Sequence, residues 1–295
     1  MAAARAPLPG DRWHFQHGPI DIVIGADGDD AVVEQAHEAA WRRFSTVLDE
    51  LVAELPTLRR PIAGPCPLRG AVARRMWSAC RPFHAGYITP MAAVAGSVAQ
   101  ELIACYRREG VQRAWVNNGG DIALHLAPGH SLKVGLVADA TRPGARTAAG
   151  LQRTDGDFEV HASLPVRGIA TSGWRGRSFS LGIADSVTVL ARTAAEADAA
   201  ATIVANAVDV AAPGIVRRPA NTLKDDSDLG DIPVTTDVPP LPPELVQRAL
   251  AAGGRRAREL RSAGLLWSAV LCCQGFATTL EDSHRPARVG SVIAT

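Results

Sequence analysis

Hydrophobic spacing divides the chain into a readable series of elements. Ile20, Ile22 and Ile24 recur at every second position within residues 11–25, which predicts a strand with one buried face. A Gly/Asp turn follows, and from Ala31 to Leu55 the period changes. Val32, Val33, Ala36, Ala40, Phe44, Val47, Leu48 and Leu51 fall on one helical face, and Pro56 should end that helix. A Pro/Gly-rich connection from Pro61 to Pro67 leads to a second helix over Ala71 to Cys80. A third, starting at Thr89-Pro90, is unusually rich in small residues, Met91-Ala92-Ala93-Val94-Ala95-Gly96-Ser97, which suits close approach of another backbone.

Beyond it, apolar residues flank Asn117-Asn118-Gly119-Gly120-Asp121, predicting two short strands joined by a turn. Further strands are expected over Leu132–Ala138, Phe158–Leu164 and Ser186–Leu190, and a helix over Ala194–Val210. Residues 219–231 read as a solvated acidic turn and Pro233 to Pro243 as an extended connector. A last helix runs from Pro243 to about Ser262, interrupted at Gly253-Gly254, before an apolar patch over Leu265–Cys273.

Composition narrows the function classes. At 295 residues the chain can bury a full core, and 47% hydrophobic with 21% charged residues is ordinary for a globular protein. A net charge of +1 gives no reason to expect nucleic acid or an anionic membrane. Arg42-Arg43, Arg59-Arg60, Arg74-Arg75 and Arg107-Arg108 are scattered, which favours solvated helix faces. Five cysteines without a CxxC pair form neither a disulfide framework nor a zinc knuckle. With no secretory h-region and no apolar run of membrane-spanning length, a cytoplasmic location is expected. Ala-rich surfaces allow a homodimer.

Three segments carry candidate chemistry. In the Asn117–Asp121 turn, paired glycines free backbone amides to face an anion while Asn117, Asn118 and Asp121 supply side-chain hydrogen bonds; a plain hairpin turn is the competing reading. The loop Ile169–Ser178 gathers Thr171, Ser172, Gly173, Trp174, Arg175, Arg177 and Ser178, a mixture suited to phosphate oxygens and a flat ring, or simply a solvated surface loop. On the Ala194–Val210 helix, Asp198, Thr202, Asn206 and Asp209 fall within a sector of roughly 80°. Asp198 and Thr202, one turn apart, are oxygen donors of the kind Mg²⁺ takes, while a polar solvent-facing stripe is the alternative. Neither a GxGxxG turn nor a Walker A loop is present.

The order of small-residue helix, Asn-Asn-Gly-Gly-Asp turn, Ala-Thr-Ser-Gly loop, Ser-Val-Thr-Val strand and Ala-Asp-x-x-x-Thr helix resembles the ApbE family, the FAD:protein FMN transferases, over residues 80–210. Ile88–Gly96 and Gly168–Asp185 look most like an uncharacterised ApbE-related subfamily. The resemblance implies an α+β ApbE-like fold, with two lobes of mixed sheet and helices around a central nucleotide cleft. It also implies FAD as substrate or ligand, Mg²⁺ at the pyrophosphate, and FMN transfer to a hydroxyl of an acceptor flavoprotein with release of AMP. On it, Asn117 or Asn118 with Gly119 and Gly120 would lie near the flavin nucleotide, Thr171, Ser172 and Gly173 would be the family's Thr-Ser-Gly, and Asp198 and Thr202 the Mg²⁺ ligands. The ApbE-like domain would then span residues 1–232, followed by the connector 233–243, a C-terminal helical segment 244–281 packed on the same domain, and a tail 282–295.

Two departures qualify that expectation. Residues Ser178–Asp185 contain no histidine where the family carries one ahead of an Asp-Pro-x-Thr-Gly segment, and Thr89-Pro90-Met91 replaces the family's Lys-Gly. A missing general base costs on the order of 10²–10⁴ in rate. Asp185 or Asp121 would have to serve as the base, and a non-catalytic flavin or nucleotide binder, or an assembly partner for a redox enzyme, is the alternative function.

Overall fold

The computed structural model describes residues 2–136 and 156–280. The expected tail at 282–295, and the part of the Leu132–Ala138 strand beyond residue 136, lie outside them. The chain divides into two compact units.

The first unit comprises Met1–Ser131, His161–Ala170 and Leu190–Ala199. Its strands are β1 (Ala4–Leu8), β2 (Arg12–His17), β3 (Ile20–Gly28), β4 (Val111–Asn118) and β5 (Asp121–Leu126). They lie in that spatial order, antiparallel throughout, and β5 pairs with the start of a later strand through Ile122↔Ile169 and Ala123↔Gly168. Alternation works as expected in β3, where Ile20, Ile22 and Ile24 are buried. Helix α1 (Asp30–Ala53) sets Ala36, Ala40, Phe44, Val47 and Leu51 in the core, capped by Asp29, whose carboxylate accepts from the Ala31 and Val32 amides. Pro56 does not leave a coil behind. It sits in the first turn of a short helix α2 (Leu55–Leu58), where its missing N–H has no partner to lose.

Helix α3 (Ala71–Cys80) forms where its spacing predicts. The small-residue helix starts differently: Pro90–Ala93 is a 3₁₀ turn, and the α-helix proper, α4, runs Val94–Ile103. Thr89 caps the 3₁₀ turn, its Oγ1 accepting from the Met91 amide at 3.2 Å, whereas Ala93, the residue before α4, has no side chain that can cap. A cap therefore has to come from elsewhere.

The second unit comprises Leu132–Val160, Thr171–Val189 and Ala200–Thr295. Apart from their terminal residues Ser131 and His161, β6 (Ser131–Leu136) and β7 (Gly156–His161) belong to it as a two-stranded ribbon. Three elements run from one unit into the other along the chain: β8 (Gly168–Ser172), β9 (Ser186–Ala191) and α5 (Ala194–Ala207). The connector and the acidic turn before it are more ordered than expected, since β10 (Val216–Pro219) pairs antiparallel with β11 (Pro233–Asp237).

Helix α6 (Pro243–Ser262) runs straight through Gly253-Gly254. A Cβ at Gly253 would lie 2.2 Å from Val208 Cγ2 and 2.8 Å from Leu271 Cδ2, so this glycine marks close packing and not a break. After α6 the described residues form no helix. Ser268–Cys273 (β12) and Phe276–Thr279 (β13) form an antiparallel hairpin beside β9, because Ala269, Leu271 and Cys273 alternate inward.

Candidate functional site

The first unit holds a cluster around the start of α4. The β4–β5 loop is a two-residue hairpin turn, with Asn118 opposite Asp121 and positive φ at both Gly119 (67°) and Gly120 (114°). This is the type I′ geometry that only glycine or a few polar residues adopt without strain. Asn117 Oδ1 accepts from the Gly120 amide at 2.8 Å and stiffens the turn. Asn118 is buried and donates through Nδ2 to the Ala95 carbonyl at 3.1 Å, which ties the turn to α4. Asp121, also buried, stands at the base of the same turn.

Asp198 comes to this cluster from α5. Its Oδ2 accepts from the Gly96 amide at 2.9 Å, and the Ala95 amide bonds to it as well. These are orphan donors in the first turn of α4, so a carboxylate 102 residues along the chain supplies the cap that Ala93 lacks. The approach requires glycine. A Cβ on Gly96 would sit 2.3 Å from the Ala194 carbonyl oxygen and 2.9 Å from Asp198 Cβ. Gln100 reinforces the contact by accepting from the Ala195 amide at 3.2 Å.

Desolvation pushes the Asp198 carboxyl well above the usual carboxylate range, and the nearby charge of Asp121 pushes it further; the two α4 amides pull the other way without prevailing. Two acids from different elements thus crowd one spot. Such a pair accepts a proton or a hard cation readily, and Mg²⁺ prefers oxygen donors and keeps several of its waters, although the two α4 amides compete with any cation for Asp198. Among the described residues there is no grouping of three or more His, Cys, Asp or Glu side chains that could hold a metal ion, so no all-protein metal cage is built here.

The other sequence-named residues fall in the second unit. Thr202 follows Asp198 by one turn on α5. Thr171 Oγ1 shares a hydrogen bond with Thr188 Oγ1 at 2.9 Å. Gly173 packs where a Cβ would meet the Asp185 carbonyl oxygen at 2.4 Å, and the Trp174 amide donates to the Ala184 carbonyl at 3.0 Å. The Arg175 guanidinium lies 5.0 Å from the Trp174 ring centre and pairs with Asp185 at 3.1 Å. Arg177 and Ser178 are exposed on the same loop.

Asp185 is heavily engaged. Besides Arg175, its carboxylate accepts from the Gln274 amide and its own amide donates to the Cys272 carbonyl. Together with burial, the Asp185 charge pushes the Cys273 thiol up to about 12. Asn206 and Asp209, the rest of the polar stripe, have local work: Asn206 Oδ1 accepts from the Leu181 amide at 2.9 Å and Asp209 pairs with Arg217.

Sequence reading missed Ala95 and Gly96 as ligands of Asp198, and the orphaned Trp174 indole N–H, which has no hydrogen-bond partner among the described residues. The run of small residues was the one available signal for the first pair. Among the described residues no helix is long and apolar enough to cross a membrane.

Comparison with known proteins gives a consistent relationship. The chain is 37% identical over 191 residues to a UPF0280 protein of Methanopyrus kandleri, covering 63% of this chain and 69% of that one. It is 35% identical over 167 residues to a UPF0280 protein of Methanothrix thermoacetophila, covering 55% and 64% respectively. Among solved structures it is similar to the apo flavinyl transferase ApbE of Pseudomonas stutzeri, at 12% identity and a TM-score of 0.43 across 94% of this chain and 93% of that one. The family model described as "AbpE bacteria" matches residues 4–280, and the chain belongs to that ApbE-related family.

Proposed function

We propose that this protein binds a flavin dinucleotide together with Mg²⁺ and acts at its pyrophosphate, passing the flavin nucleotide to a protein hydroxyl and releasing AMP. The observation that carries this reading is the Asp121–Asp198 pair, two carboxylates crowded together at the amide-bearing start of α4. Asp198, with Thr202 one turn further along α5 and Asp121 beside it, would hold the cation. A bound Mg²⁺ supplies neutralisation of phosphate charge.

The chain's own residues do the rest. Gly119 and Gly120 carry no side chain to obstruct a ligand, and among the described residues, chain neighbours aside, nothing lies within 4 Å of where a Gly120 Cβ would stand. Asn117 holds that turn and Asn118 fixes it to α4. In the second unit, Arg175, Arg177, Ser178, Thr171 and Ser172 carry charge and hydroxyls of the kind that bind phosphate oxygens, with Gly173 setting their loop. For the proton of the attacking hydroxyl, Asp121 or Asp185 would have to serve as the base.

Titrating the protein with FAD, with and without Mg²⁺, while following flavin fluorescence and AMP tests the reading. FAD binding is expected, with Mg²⁺-dependent AMP release once a hydroxyl-bearing acceptor protein is supplied, and loss of that release in Asp198→Asn; the absence of FAD binding in either condition would overturn it. A second reading, a flavin carrier or assembly partner without turnover, is favoured by the lack of histidine between Ser178 and Asp185. Stoichiometric FAD retention without AMP, with acceptor proteins supplied, would select it.

A further inference from the structure

The Arg107-Arg108 pair has no part in the cluster above. It follows α4 and stands at the opposite end of the β4–β5 hairpin from the Gly119-Gly120 turn, where β4 begins and β5 ends. A groove of about 540 Å³ opens there, lined by Arg107, Arg108, Glu109, His125, Leu126 and Pro128 among others. One side of this lining is cationic and the other apolar.

The charge balance is uneven. Neither the Arg107 nor the Arg108 guanidinium has a hydrogen bond or ion pair with any described residue. Arg167 lies close behind them, its guanidinium committed to the carbonyls of Ala162, Leu164 and Val166. Burial holds the Arg167 guanidinium below its ordinary value, and the charge of Arg107 lowers it further. The nearby acids do not offset this. Asp29 is spent capping α1 and Glu38 pairs with Arg5, which leaves Glu109 in the groove and Glu34 on α1 in the adjoining hollow that Arg108 also lines.

His125 adds a directional group. Its Nε2 bonds to the Val111 carbonyl at 3.2 Å, so Nε2 carries the proton. Nδ1 has no partner among the described residues and presents a lone pair. Burial, and then the charges of Arg107 and Arg167, lower the pKa of this imidazole, which keeps it neutral near pH 7.

We infer that this groove binds a small phosphate monoester: Arg107 and Arg108 take the phosphate oxygens, His125 Nδ1 takes up a proton from solvent and donates it to a third oxygen, and the ester's apolar body lies on Leu126 and Pro128. A phosphate fits better than a carboxylate because it has enough oxygens for two separate guanidiniums and the imidazole.

Phenyl phosphate is the probe, followed by NMR of the histidine imidazoles in the full-length protein, with phenol and benzoate as controls. Saturable shifts at His125 are expected, together with a rise in the pH at which that ring titrates, because the bound anion offsets the surrounding cations. In the Arg107→Gln/Arg108→Gln double variant, affinity should fall ~10-fold or more, as loss of charge-assisted hydrogen bonds implies. The Asp198→Asn variant should bind phenyl phosphate like the parent, which separates this groove from the flavin site. No saturable shift at His125, equal affinity in the double variant, or benzoate binding as tightly as phenyl phosphate would each overturn the inference.

Discussion

Replacing Gly96 by alanine sets two physical effects against each other. Alanine is the better helix former by about 1 kcal/mol, so propensity alone predicts a more stable protein. Packing predicts the reverse. The new methyl would stand 2.3 Å from the Ala194 carbonyl oxygen and 2.7 Å from its carbon, and those are backbone atoms that cannot rotate away. Forcing α4 from α5 by that much costs about 1–3 kcal/mol in overpacking. The Gly96 amide would also leave the Asp198 carboxyl, and a hydrogen bond to a neutral group contributes about 0.5–1.5 kcal/mol. The net expectation is a loss of about 0.5–3.5 kcal/mol, which at ~2–4 °C per kcal/mol lowers the unfolding midpoint by roughly 1–14 °C.

Circular dichroism during a thermal ramp measures this directly, and Gly254→Ala is the control. Gly254 is also helical, but its nearest obstacle is the flexible end of Arg258 at 3.5 Å. That substitution should be neutral or stabilising by up to about 1 kcal/mol. An unchanged or raised midpoint in Gly96→Ala would refute the close α4–α5 contact and with it the capping of α4 by Asp198.

Three further outcomes follow from the same contacts. Asp198 has its pKa raised in the folded state, so its contribution to stability is complete below the ordinary carboxylate pKa and is lost as pH rises through the folded value. Asp198→Asn should therefore flatten the decline in melting temperature between acidic and neutral pH without Mg²⁺, as differential scanning calorimetry across pH would record. Glu101 has the opposite sign: burial works to raise its pKa, but bonds from Arg43 and Arg75, both at 2.7 Å, hold it low, so its stabilisation disappears as pH falls through that depressed value. Glu101→Gln should cost about 1–3 kcal/mol near neutral pH, measurable by denaturant titration, since Arg43 keeps Glu50 and Arg75 keeps the Ser97 carbonyl. Gly173→Ala should displace the Trp174–Arg175 loop from Asp185, read out as a red shift and greater quenching of Trp174 fluorescence in a variant retaining that tryptophan alone.

Much of the fold is legible in the spacing of apolar residues. The isoleucine alternation of β3, the buried face of α1 and the limits of α3 all follow from it, because in each case one face is apolar and the other polar. Strand β1 escapes notice since its residues are mostly exposed and its place is set by pairing with β2 alone. The β12–β13 hairpin is missed for a related reason: a short apolar run fits a buried helix or strand equally, and only Gln274-Gly275, both at positive φ, mark the turn.

The candidate site was readable in its parts and not in its assembly. Asn-Gly-Gly-Asp announces a turn, and the Asp198–Thr202 spacing announces one helix face. That Asp198 reaches Gly96 and feels the charge of Asp121 depends on helix packing across 102 residues of chain, which no local pattern encodes. Conversely, Asn206 and Asp209 share the stripe's spacing yet serve the loops around Leu181 and Arg217. Periodicity identifies a face; it does not say what the face meets.

The central claim is that Asp198 and Asp121 form the seat of a divalent cation that works with a flavin nucleotide. Calorimetric titration of Mg²⁺ into the FAD-saturated protein near neutral pH, repeated in two buffers of different ionisation enthalpy, tests it most directly. The account predicts binding that displaces a proton, and an affinity at least ~10-fold weaker in Asp198→Asn, with no proton displaced there. Binding of equal affinity in that variant, with the same proton count, would contradict it.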